Sequence, residues 1–408
     1  MKLNNTPKSM RLHIGIFGKR NVGKSSLMNL ITGQDISIVS DIPGTTTDSV
    51  EKTMELLPLG SVVFIDTAGI DDIGKLGEQR VKKSKKIIDR TDVAVIVCDY
   101  NGIDVFEEEL IKIFKKNNVP IIIFINKTDI ANPVKNKFEE IKSQADCVIT
   151  SSVKQDDKII NKIKEALIKV VPEEFMNPPA ILENIVQPEN TVILVTPIDK
   201  EAPKGRLILP QVNVLRELLD NNCISIVVTE KKLEQALKSF NITPKIVITD
   251  SQAFKYVSEI VPENIPLTSF SILFARLKGD LKIFYDGAKY IDRLQDNDTV
   301  LICESCTHHP IEDDIGRVKI PNLLRKKTSK DLKFEYISSH DFPVDIDKYK
   351  LIIHCGGCMT NRREILSRIN KAQTANIPIT NYGIAISHCF GICERAMNPF
   401  YNNTEIQK

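Results

Sequence analysis

Short apolar runs alternate with amphipathic segments through the first part of the chain. Runs such as Val93–Cys98 and Pro120–Ile125 have the length of buried parallel strands. Strand–helix alternation of this kind predicts a parallel sheet with helices on both faces. We expect strands at Leu12–Phe17, Val62–Asp66, Val93–Val97, Ile121–Ile125 and Cys147–Thr150. We expect helices at Lys24–Ile31, Gly77–Asp89, Glu107–Asn118, Lys135–Ala145 and Lys158–Val170.

The same alternation returns twice after a proline-containing segment that reads as a linker. The chain is therefore expected to be an α/β protein, with one larger domain followed by two smaller α/β domains whose sheets are mainly parallel. The predicted boundaries are 1–174, a linker at 175–190, then 191–275 and 276–408. Strands are expected at Val192–Thr196, Ser225–Thr229, Lys245–Thr249, Pro266–Phe270, Thr299–Cys303, Phe334–Ile337, Leu351–His354 and Ile377–Thr380.

Composition narrows the classes of protein that this chain resembles. Its 408 residues are 42% hydrophobic and 26% charged, with a formal net charge of +2, as in ordinary globular proteins. The near balance of charge argues against a nucleic-acid binder, which needs a basic excess or patch. No apolar run approaches the ~18 residues of a membrane span, and the N-terminus lacks a signal-peptide core. We expect a cytoplasmic protein with no membrane partner.

The nine cysteines are distributed unevenly. Six of them, and five of the six histidines, lie after residue 300. An odd count in a reducing compartment makes a disulfide framework a poor interpretation. The skew instead suggests a metal site in the last third of the chain.

A phosphate-binding loop follows the first predicted strand. Residues Gly18–Ser25 fit the pattern G-x-x-x-x-G-K-[ST] and open a predicted helix, which is the context that this motif requires. Its backbone N–H groups and the helix N-terminus favour bound phosphate. Lys24 is expected to reach the β- and γ-phosphates, and Ser25 to bind Mg²⁺. The candidate nucleotide ligands here are Gly18, Asn21, Val22, Gly23, Lys24, Ser25 and Ser26.

Further segments indicate that the nucleotide is GTP. Asp66-Thr67-Ala68-Gly69 matches D-x-x-G, in which Asp66 holds Mg²⁺ through water and the Gly69 N–H contacts the γ-phosphate. Asn126-Lys127-Thr128-Asp129 matches N-K-x-D, and Asp129 can accept hydrogen bonds from the guanine N1–H and 2-amino group. Adenine lacks these donors. Other candidates are Thr45 and Thr46, of which Thr46 is preferred for Mg²⁺, and Ser152 and Val153 near the guanine O6.

Together these motifs resemble the TrmE–Era–EngA group of GTPases. The matching segments are Gly18–Ser26, Gly44–Thr46, Asp66–Gly69 and Asn126–Asp129. The resemblance implies that Asn21 helps to place a K⁺ ion beside the phosphates. Ile70 occupies the position where Ras-like enzymes use a glutamine to orient water. We therefore expect slow, potassium-stimulated hydrolysis without a catalytic side-chain base.

The second candidate site is formed by cysteines and histidines that follow two predicted strands. Cys355 and Cys358 form a C-x-x-C pair after one strand, and Cys306 follows another. Three thiolates suit a 4Fe–4S cluster with a different ligand on the fourth iron, or a zinc site completed by His308 or His354. Spacing alone leaves both open. Cys389 and Cys393 are better explained as buried thiols.

The pattern Cys306-x-His308, followed by His354-Cys355-x-x-Cys358, resembles the C-x-H…H-C-x-x-C signature of the HydF family of hydrogenase-maturation GTPases. Further resemblance lies in Leu76–Val81, Lys204–Pro210 and Asp313–Pro321. It implies that 1–174 is a GTPase domain, 191–275 a dimerisation domain and 276–408 a cluster-binding domain. It also implies a 4Fe–4S cluster on Cys306, Cys355 and Cys358, with a di-iron precursor as cargo.

The implied role is that of a scaffold or carrier for assembly of the iron–iron hydrogenase active site. The implied partners are radical-SAM hydrogenase maturases, the apo-hydrogenase and a second copy of the chain. The alternative is a ribosome-assembly or tRNA-modification GTPase with a structural zinc. A GTPase that senses redox state through the C-x-x-C pair is a third hypothesis.

Overall fold

The computed structural model of the chain describes residues 6–33, 50–67, 85–132, 135–152, 158–198, 207–239, 243–305 and 314–401. The chain forms two compact units, Met1–Pro178 and Pro179–Lys408. The predicted helix at Gly77–Asp89 lies largely outside the described residues, which contain only its end, helical at 85–89. The predicted boundaries of three domains stay a prediction.

The first unit is built on a sheet with the strand order β2-β3-β1-β4-β5-β6 across the described residues. The strands are β1 (Leu12–Phe17), β2 (Val50–Leu56), β3 (Gly60–Asp66), β4 (Val93–Cys98), β5 (Ile121–Ile125) and β6 (Cys147–Thr150). Strand β2 is antiparallel to β3, and the other neighbouring pairs are parallel. The predicted α/β class with a mainly parallel sheet is confirmed.

Helices cover both faces of this sheet. They are α1 (Lys24–Thr32), α2 (Val105–Lys116), α3 (Lys135–Gln144), α4 (Ile159–Val170) and α5 (Glu173–Met176). Along β1, Ile14 and Ile16 belong to one core cluster, whereas Phe17 belongs to the other. Successive side chains of a strand point to opposite faces, so a strand that is apolar throughout is buried on both.

Strand β2 was not predicted from the sequence. Its residues, VEKTMEL, are mostly polar, and most of them are exposed or half-buried. It lies at the edge of the sheet and pairs with β3 in antiparallel register, Val50 opposite Asp66 and Leu56 opposite Gly60. An edge strand buries too little surface to need an apolar sequence, so its pattern carries little strand signal.

The second unit contains two parallel sheets within the described part of the chain. The first has the order β10-β9-β7-β8 and the second β12-β11-β13-β14. Their strands are β7 (Thr191–Val195), β8 (Ile224–Val228), β9 (Ile246–Thr249), β10 (Leu267–Ser269), β11 (Thr299–Glu304), β12 (Lys333–Ser338), β13 (Leu351–His354) and β14 (Ile379–Asn381).

The described helices of the second unit lie between these strands and after the last of them. They are α6 (Leu209–Asp220), α7 (Leu233–Ser239), α8 (Phe254–Ile260), α9 (Phe270–Lys278), α10 (Leu281–Lys289), α11 (Ile320–Thr328), α12 (Arg362–Thr374), α13 (Tyr382–Cys389) and α14 (Cys393–Tyr401). Helix α9 begins at Phe270, where the sequence predicted the end of a strand. The Ser269 hydroxyl accepts a hydrogen bond from the Ile272 N–H (3.3 Å) and caps the helix.

None of the helices in the described residues is both long and apolar enough to cross a bilayer.

Candidate functional site

Two glycines shape the loop between β1 and α1. Gly18 has φ of 140°, and a Cβ there would lie 2.2 Å from the Val97 carbonyl oxygen. Gly23 has φ of 101°, and its Cβ would lie 2.2 Å from the Asn126 side-chain nitrogen. Both the backbone conformation and the space require glycine. The two glycines of the sequence motif are therefore explained by contacts with two other strand ends.

Lys24 places a positive charge within this loop. Its side chain is buried, and its Nζ donates hydrogen bonds to the carbonyl oxygens of Gly18 (2.7 Å) and Lys19 (2.5 Å). Helix α1 begins at Lys24, and Gly23 provides no side-chain cap for its first N–H groups. A cation beside an uncapped helix N-terminus favours an anion such as phosphate.

Ser25 and Asp66 meet at the ends of adjacent elements. The Ser25 hydroxyl donates to Asp66 Oδ2 at 2.7 Å, and strand pairing places Asp66 beside Ile16. Burial raises the pKa of the Asp66 carboxyl, while the Ser25 hydrogen bond and the Lys24 charge act in the opposite direction. Within the described residues, its buried Oδ1 has no hydrogen-bond partner. A hydroxyl facing a carboxylate with a spare oxygen suits Mg²⁺, which prefers hard oxygen ligands.

The N-K-x-D segment is attached directly to the phosphate loop. Asn126 Nδ2 donates to the Val22 carbonyl oxygen at 2.8 Å, and the Asn126 N–H donates to the Cys98 carbonyl oxygen at 2.8 Å. The Ser152 hydroxyl donates to Asp129 Oδ1 at 2.7 Å. The structure thus brings the predicted base-recognition residues Asp129 and Ser152 together.

Several predicted site residues lie outside the described part of the chain. They are Thr45, Thr46, Gly69, Val153, Cys306 and His308. Their assigned roles stay predictions.

The C-x-x-C loop begins where β13 ends, next to the end of β11. The Cys355 N–H donates to the Cys303 carbonyl oxygen at 2.9 Å, which continues the strand pairing. Cys355 Sγ accepts a hydrogen bond from the Ser305 N–H (3.1 Å) and contacts the Ser305 hydroxyl (3.1 Å). Burial raises the pKa of the Cys355 thiol, and the Ser305 hydrogen bond partly offsets this rise. Two strand ends therefore converge on one sulfur.

Gly357 closes this loop tightly. Its φ is +64°, and a Cβ there would lie 3.0 Å from Ile365 Cδ1 of α12. The positive φ suits glycine, and the close packing leaves little room for a side chain. The other glycine of the motif, Gly356, has more space, since the nearest atom to its Cβ would be Ser271 Oγ at 3.5 Å.

His354 has both ring nitrogens engaged within the protein. Nδ1 contacts the Cys355 carbonyl oxygen at 2.8 Å, and Nε2 contacts Arg368 Nη1 at 2.8 Å. Burial, with the Arg368 charge, lowers the pKa of His354 to about 3. The ring is therefore neutral, with Nδ1 donating and Nε2 accepting. This arrangement argues against the predicted role of His354 as a metal ligand.

A buried ion-pair network holds Arg368 in place. Glu364 Oε1 lies 2.5 Å from Arg368 Nη2, and Glu364 Oε2 lies 2.8 Å from His340 Nδ1. Burial by itself would raise the pKa of Glu364, but the His340 hydrogen bond and the Arg368 charge outweigh it and lower the pKa to about 2. The network anchors α12 to the end of β13, beside the cysteine loop.

Two residues near the cysteines were not singled out from the sequence. Lys278, at the end of α9, donates to three carbonyl oxygens of the C-x-x-C turn. The Tyr382 hydroxyl is buried and has no hydrogen-bond partner among the described residues. A Cβ at Gly316 would lie 2.3 Å from that hydroxyl and 2.9 Å from Glu304 Oε1. No local pattern of the sequence pointed to Lys278 or Tyr382.

The remaining thiols of this unit are consistent with core residues. Cys393 is buried, and Cys389 packs against the hydrophobic core cluster that includes β11 and β13. No group of three or more His, Cys, Asp or Glu side chains within the described residues is arranged to hold a metal ion. Cys306 and His308, two of the predicted ligands, lie outside the described residues and are therefore not among these side chains.

Three family models match the chain in sequence. Residues 13–127 match a 50S ribosome-binding GTPase model, 181–279 the hydrogen maturase F dimerization domain, and 282–399 the hydrogen maturase F tetramerization domain. The two hydrogen maturase F models together cover more than half of the chain. The N-terminal unit thus carries a GTPase domain, and the remainder matches domains specific to one family.

Curated relatives match a smaller part of the chain. GTPase Der of Wolinella succinogenes is 32% identical over 41% of this chain and 37% of its own length. The tRNA modification GTPase MnmE of Mesoplasma florum is 38% identical over 40% of this chain and 35% of its own length. The chain thus spans little more than a third of these relatives.

Solved structures that align with the chain include an Aquifex aeolicus Era variant bound to GDP.AlF4⁻. It is 21% identical, with a TM-score of 0.35, and the match covers 56% of this chain and 98% of that one. The G domain of T. maritima FeoB is 20% identical, with a TM-score of 0.31, over 39% of this chain and 98% of that one.

Because His354 is buried and neutral, we expect the free energy of unfolding to fall as the solution is acidified. Its pKa is about 3 in the folded chain, against an ordinary value of 6.5. Below pH 6.5, His354 is therefore protonated in the unfolded chain but stays neutral in the folded chain. Stability is lost as pH falls towards 3, with a slope approaching about 1.4 kcal/mol per pH unit. Glu364 adds to the loss only below about pH 4.5.

Native-state hydrogen exchange of β13 between pH 6.5 and 4.5 measures this effect. We expect His354→Asn to flatten the pH dependence of the opening free energy, although the variant is less stable overall. The matched control is His388→Asn, which removes a histidine of the same unit that contacts Asp292. Equal slopes in the wild type and His354→Asn would contradict the assignment.

Proposed function

Since the chain belongs to the hydrogen maturase F family, we propose that it is a GTP-hydrolysing scaffold that carries a 4Fe–4S cluster and a di-iron precursor of the iron–iron hydrogenase active site. The observation that carries the proposal is the convergence of the β11 and β13 ends on the Cys355 sulfur. We further propose that radical-SAM maturases and the apo-hydrogenase are its partners, and that it acts in the cytoplasm.

The nucleotide site supports the GTPase part of the proposal. Lys24 and the start of α1 face the phosphates, and Ser25 with Asp66 holds Mg²⁺, joined in the GTP state by Thr46. Asp129 accepts the guanine N–H groups, and its contact with Ser152 fixes the carboxylate for that purpose. Since the sequence provides no side-chain base after Gly69, hydrolysis depends on positioning and on cations that stabilise the transition-state charge.

Asn21 supports a role for potassium. It lies in the turn between β1 and α1 and has a left-handed backbone with φ of 59°. Asparagine tolerates this conformation, and its side-chain oxygen can coordinate an alkali cation. A K⁺ ion bound there would provide part of the positive charge that Ras-like enzymes receive from an arginine.

Single-turnover GTP hydrolysis in matched K⁺ and Na⁺ buffers tests this role. We expect a rate at least several-fold higher in K⁺, because the bound cation stabilises the transition-state charge. Each tenfold gain in rate corresponds to a barrier that is lower by about 1.4 kcal/mol. Asn21→Gly keeps the backbone conformation and should bring the ratio of rates close to one. Lys24→Ala is the control that weakens nucleotide binding itself. Equal rates in the two cations for the wild type would remove potassium from the mechanism.

The cysteine loop fits the cluster in its donor chemistry. Cys355 and Cys358 lie in one tight turn, and Cys306 is one peptide bond beyond Ser305, whose N–H contacts Cys355 Sγ. An N–H group directed at a sulfur stabilises the thiolate that iron requires. We propose these three cysteines as the protein ligands, with His308 or another group at the fourth iron. When bound, the cluster would supply an exchangeable iron position for the cargo.

Anaerobic reconstitution with iron and sulfide, followed by electron paramagnetic resonance of the reduced protein, tests the cluster. We expect a 4Fe–4S signal from the wild type, and its loss in Cys355→Ala and Cys358→Ala because two thiolates cannot retain the cluster. Cys389→Ala removes a thiol outside the loop and should keep the signal. Stoichiometric zinc without cluster uptake would instead support the alternative, a zinc-containing ribosome-assembly or tRNA-modification GTPase, which the family assignment does not favour.

Strand β8 supports the proposal of a homodimer. It lies at the edge of its sheet in the described residues, and Ile224 and Val227 are 52% and 41% exposed. An exposed apolar edge strand is a template for pairing with another strand. The edge lies within the segment that matches the dimerization domain, so we propose that two copies pair through β8.

Sedimentation velocity of the full chain measures this association. We expect Val227→Lys to shift the dimer towards monomer because it introduces a charge at the paired edge. Lys255→Glu, on α8, is a larger charge change away from β8 and should leave the dimer intact. A dimer of unchanged stability in Val227→Lys would exclude this edge as the interface.

A further inference from the structure

Lys278 is a buried cation beneath the cysteine loop. It ends α9, and it is 2% exposed. Lysine is almost never fully buried unless its ammonium group is paired, because removing the charge from water is costly. Its position therefore requires compensation from its surroundings.

The compensation comes from the C-x-x-C turn itself. Lys278 Nζ donates to the carbonyl oxygens of Thr360 (2.6 Å), Gly357 (2.8 Å) and Cys358 (3.3 Å). An ammonium group has three donors, and here each meets a carbonyl of one four-residue stretch.

Three groups near Lys278 carry a negative charge when they are ionised: the thiols of Cys358 and Cys355 and the carboxylate of Glu364. Glu364 is already paired with Arg368 and His340, so the two thiols are the groups whose ionised form gains most from the ammonium charge. The Phe274 ring, 5.7 Å from Nζ, closes the apolar side of the pocket. A charge in such surroundings acts more strongly on its neighbours than it would in water.

We propose that Lys278 is a positioning residue for the metal site. It holds the turn Gly357–Thr360 in the conformation that presents Cys355 and Cys358 together, and its ammonium charge raises the reduction potential of the bound cluster. The effect of the charge on the reduction potential rests on the proposed function, whereas the ordering of the turn does not. The physical reason is that a nearby cation stabilises the more negative, reduced state.

Three variants separate the two parts of this role. Lys278→Met keeps the length of the side chain but removes both the charge and the three hydrogen bonds. Lys278→Arg keeps the charge but changes the shape of the donor group. It should therefore keep the midpoint potential close to the wild-type value, even where it does not fully keep the conformation of the turn. The matched control is Arg276→Met on the same helix, because Arg276 also donates to backbone carbonyls, those of Ile181 and Glu183, but not to the cysteine turn.

Two measurements on the full chain test the proposal. The first is hydrogen exchange of the amides of residues 356–361 in the metal-free protein, which should be several-fold faster in Lys278→Met and unchanged in Arg276→Met. The second is a redox titration of the reconstituted protein followed by electron paramagnetic resonance. The midpoint potential should become more negative in Lys278→Met, and it should move back towards the wild-type value in Lys278→Arg.

The possible outcomes distinguish this proposal from the proposed function. Unchanged exchange and an unchanged potential in Lys278→Met would overturn it. If the wild type takes up no cluster, the proposed function fails and the charge effect falls with it, while the exchange experiment still decides whether Lys278 orders the turn. If Lys278→Met does not fold, as shown by circular dichroism, a potential in Lys278→Arg far from that of the wild type would contradict the charge effect.

Discussion

Parallel strand pairing is the constraint on which both sites depend. In the first unit it sets Asp66 beside Ile16 and delivers the phosphate loop, the Asp66 carboxylate and the Asn126 segment to one edge of the sheet. In the second unit it sets Cys303 beside His354, so that Ser305 and Cys355 leave the sheet side by side. Ligands of open α/β sheets bind beyond the carboxyl ends of the strands for this reason. A one-residue slip of β13 against β11 would turn every one of its side chains to the opposite face and separate Ser305 from the sulfur.

The buried polar groups around these edges satisfy one another and orient the side chains that react. Asn126 donates to the Val22 carbonyl oxygen and so ties the N-K-x-D segment to the phosphate loop. Arg368 donates to the Nε2 lone pair of His354 and so engages that ring within the protein. Lys278 does for the cysteine turn what a helix cap does for a helix end, since it supplies donors to carbonyls that the turn leaves open. Each of these contacts is costly to break in a buried environment.

Much of the fold was predictable, and the exceptions have physical causes. Strands β1, β5 and β13 were predicted with the bounds that the structure shows, because a strand buried on both faces is apolar throughout. The half-buried edge strand β6 was also predicted with its observed bounds. The polar edge strand β2 was missed, and Phe270 begins a helix instead of ending a strand because Ser269 caps it. Among the described nucleotide residues, Lys24, Ser25, Asp66 and Asn126 have contacts that suit their predicted roles.

The sequence alone was enough to predict the family, the α/β class and the nucleotide motifs. Each motif is a contiguous stretch whose spacing reflects local backbone geometry. The sequence was not enough for the surroundings of the cysteines. Lys278 and Gly357 are 79 positions apart, and His354 and Arg368 meet across the packing of α12 on β13. Such contacts arise only when the free energy of packing many elements selects one arrangement of the whole unit. No local pattern of residues encodes that choice, so the engagement of His354 and the burial of Lys278 emerged from the folded chain alone.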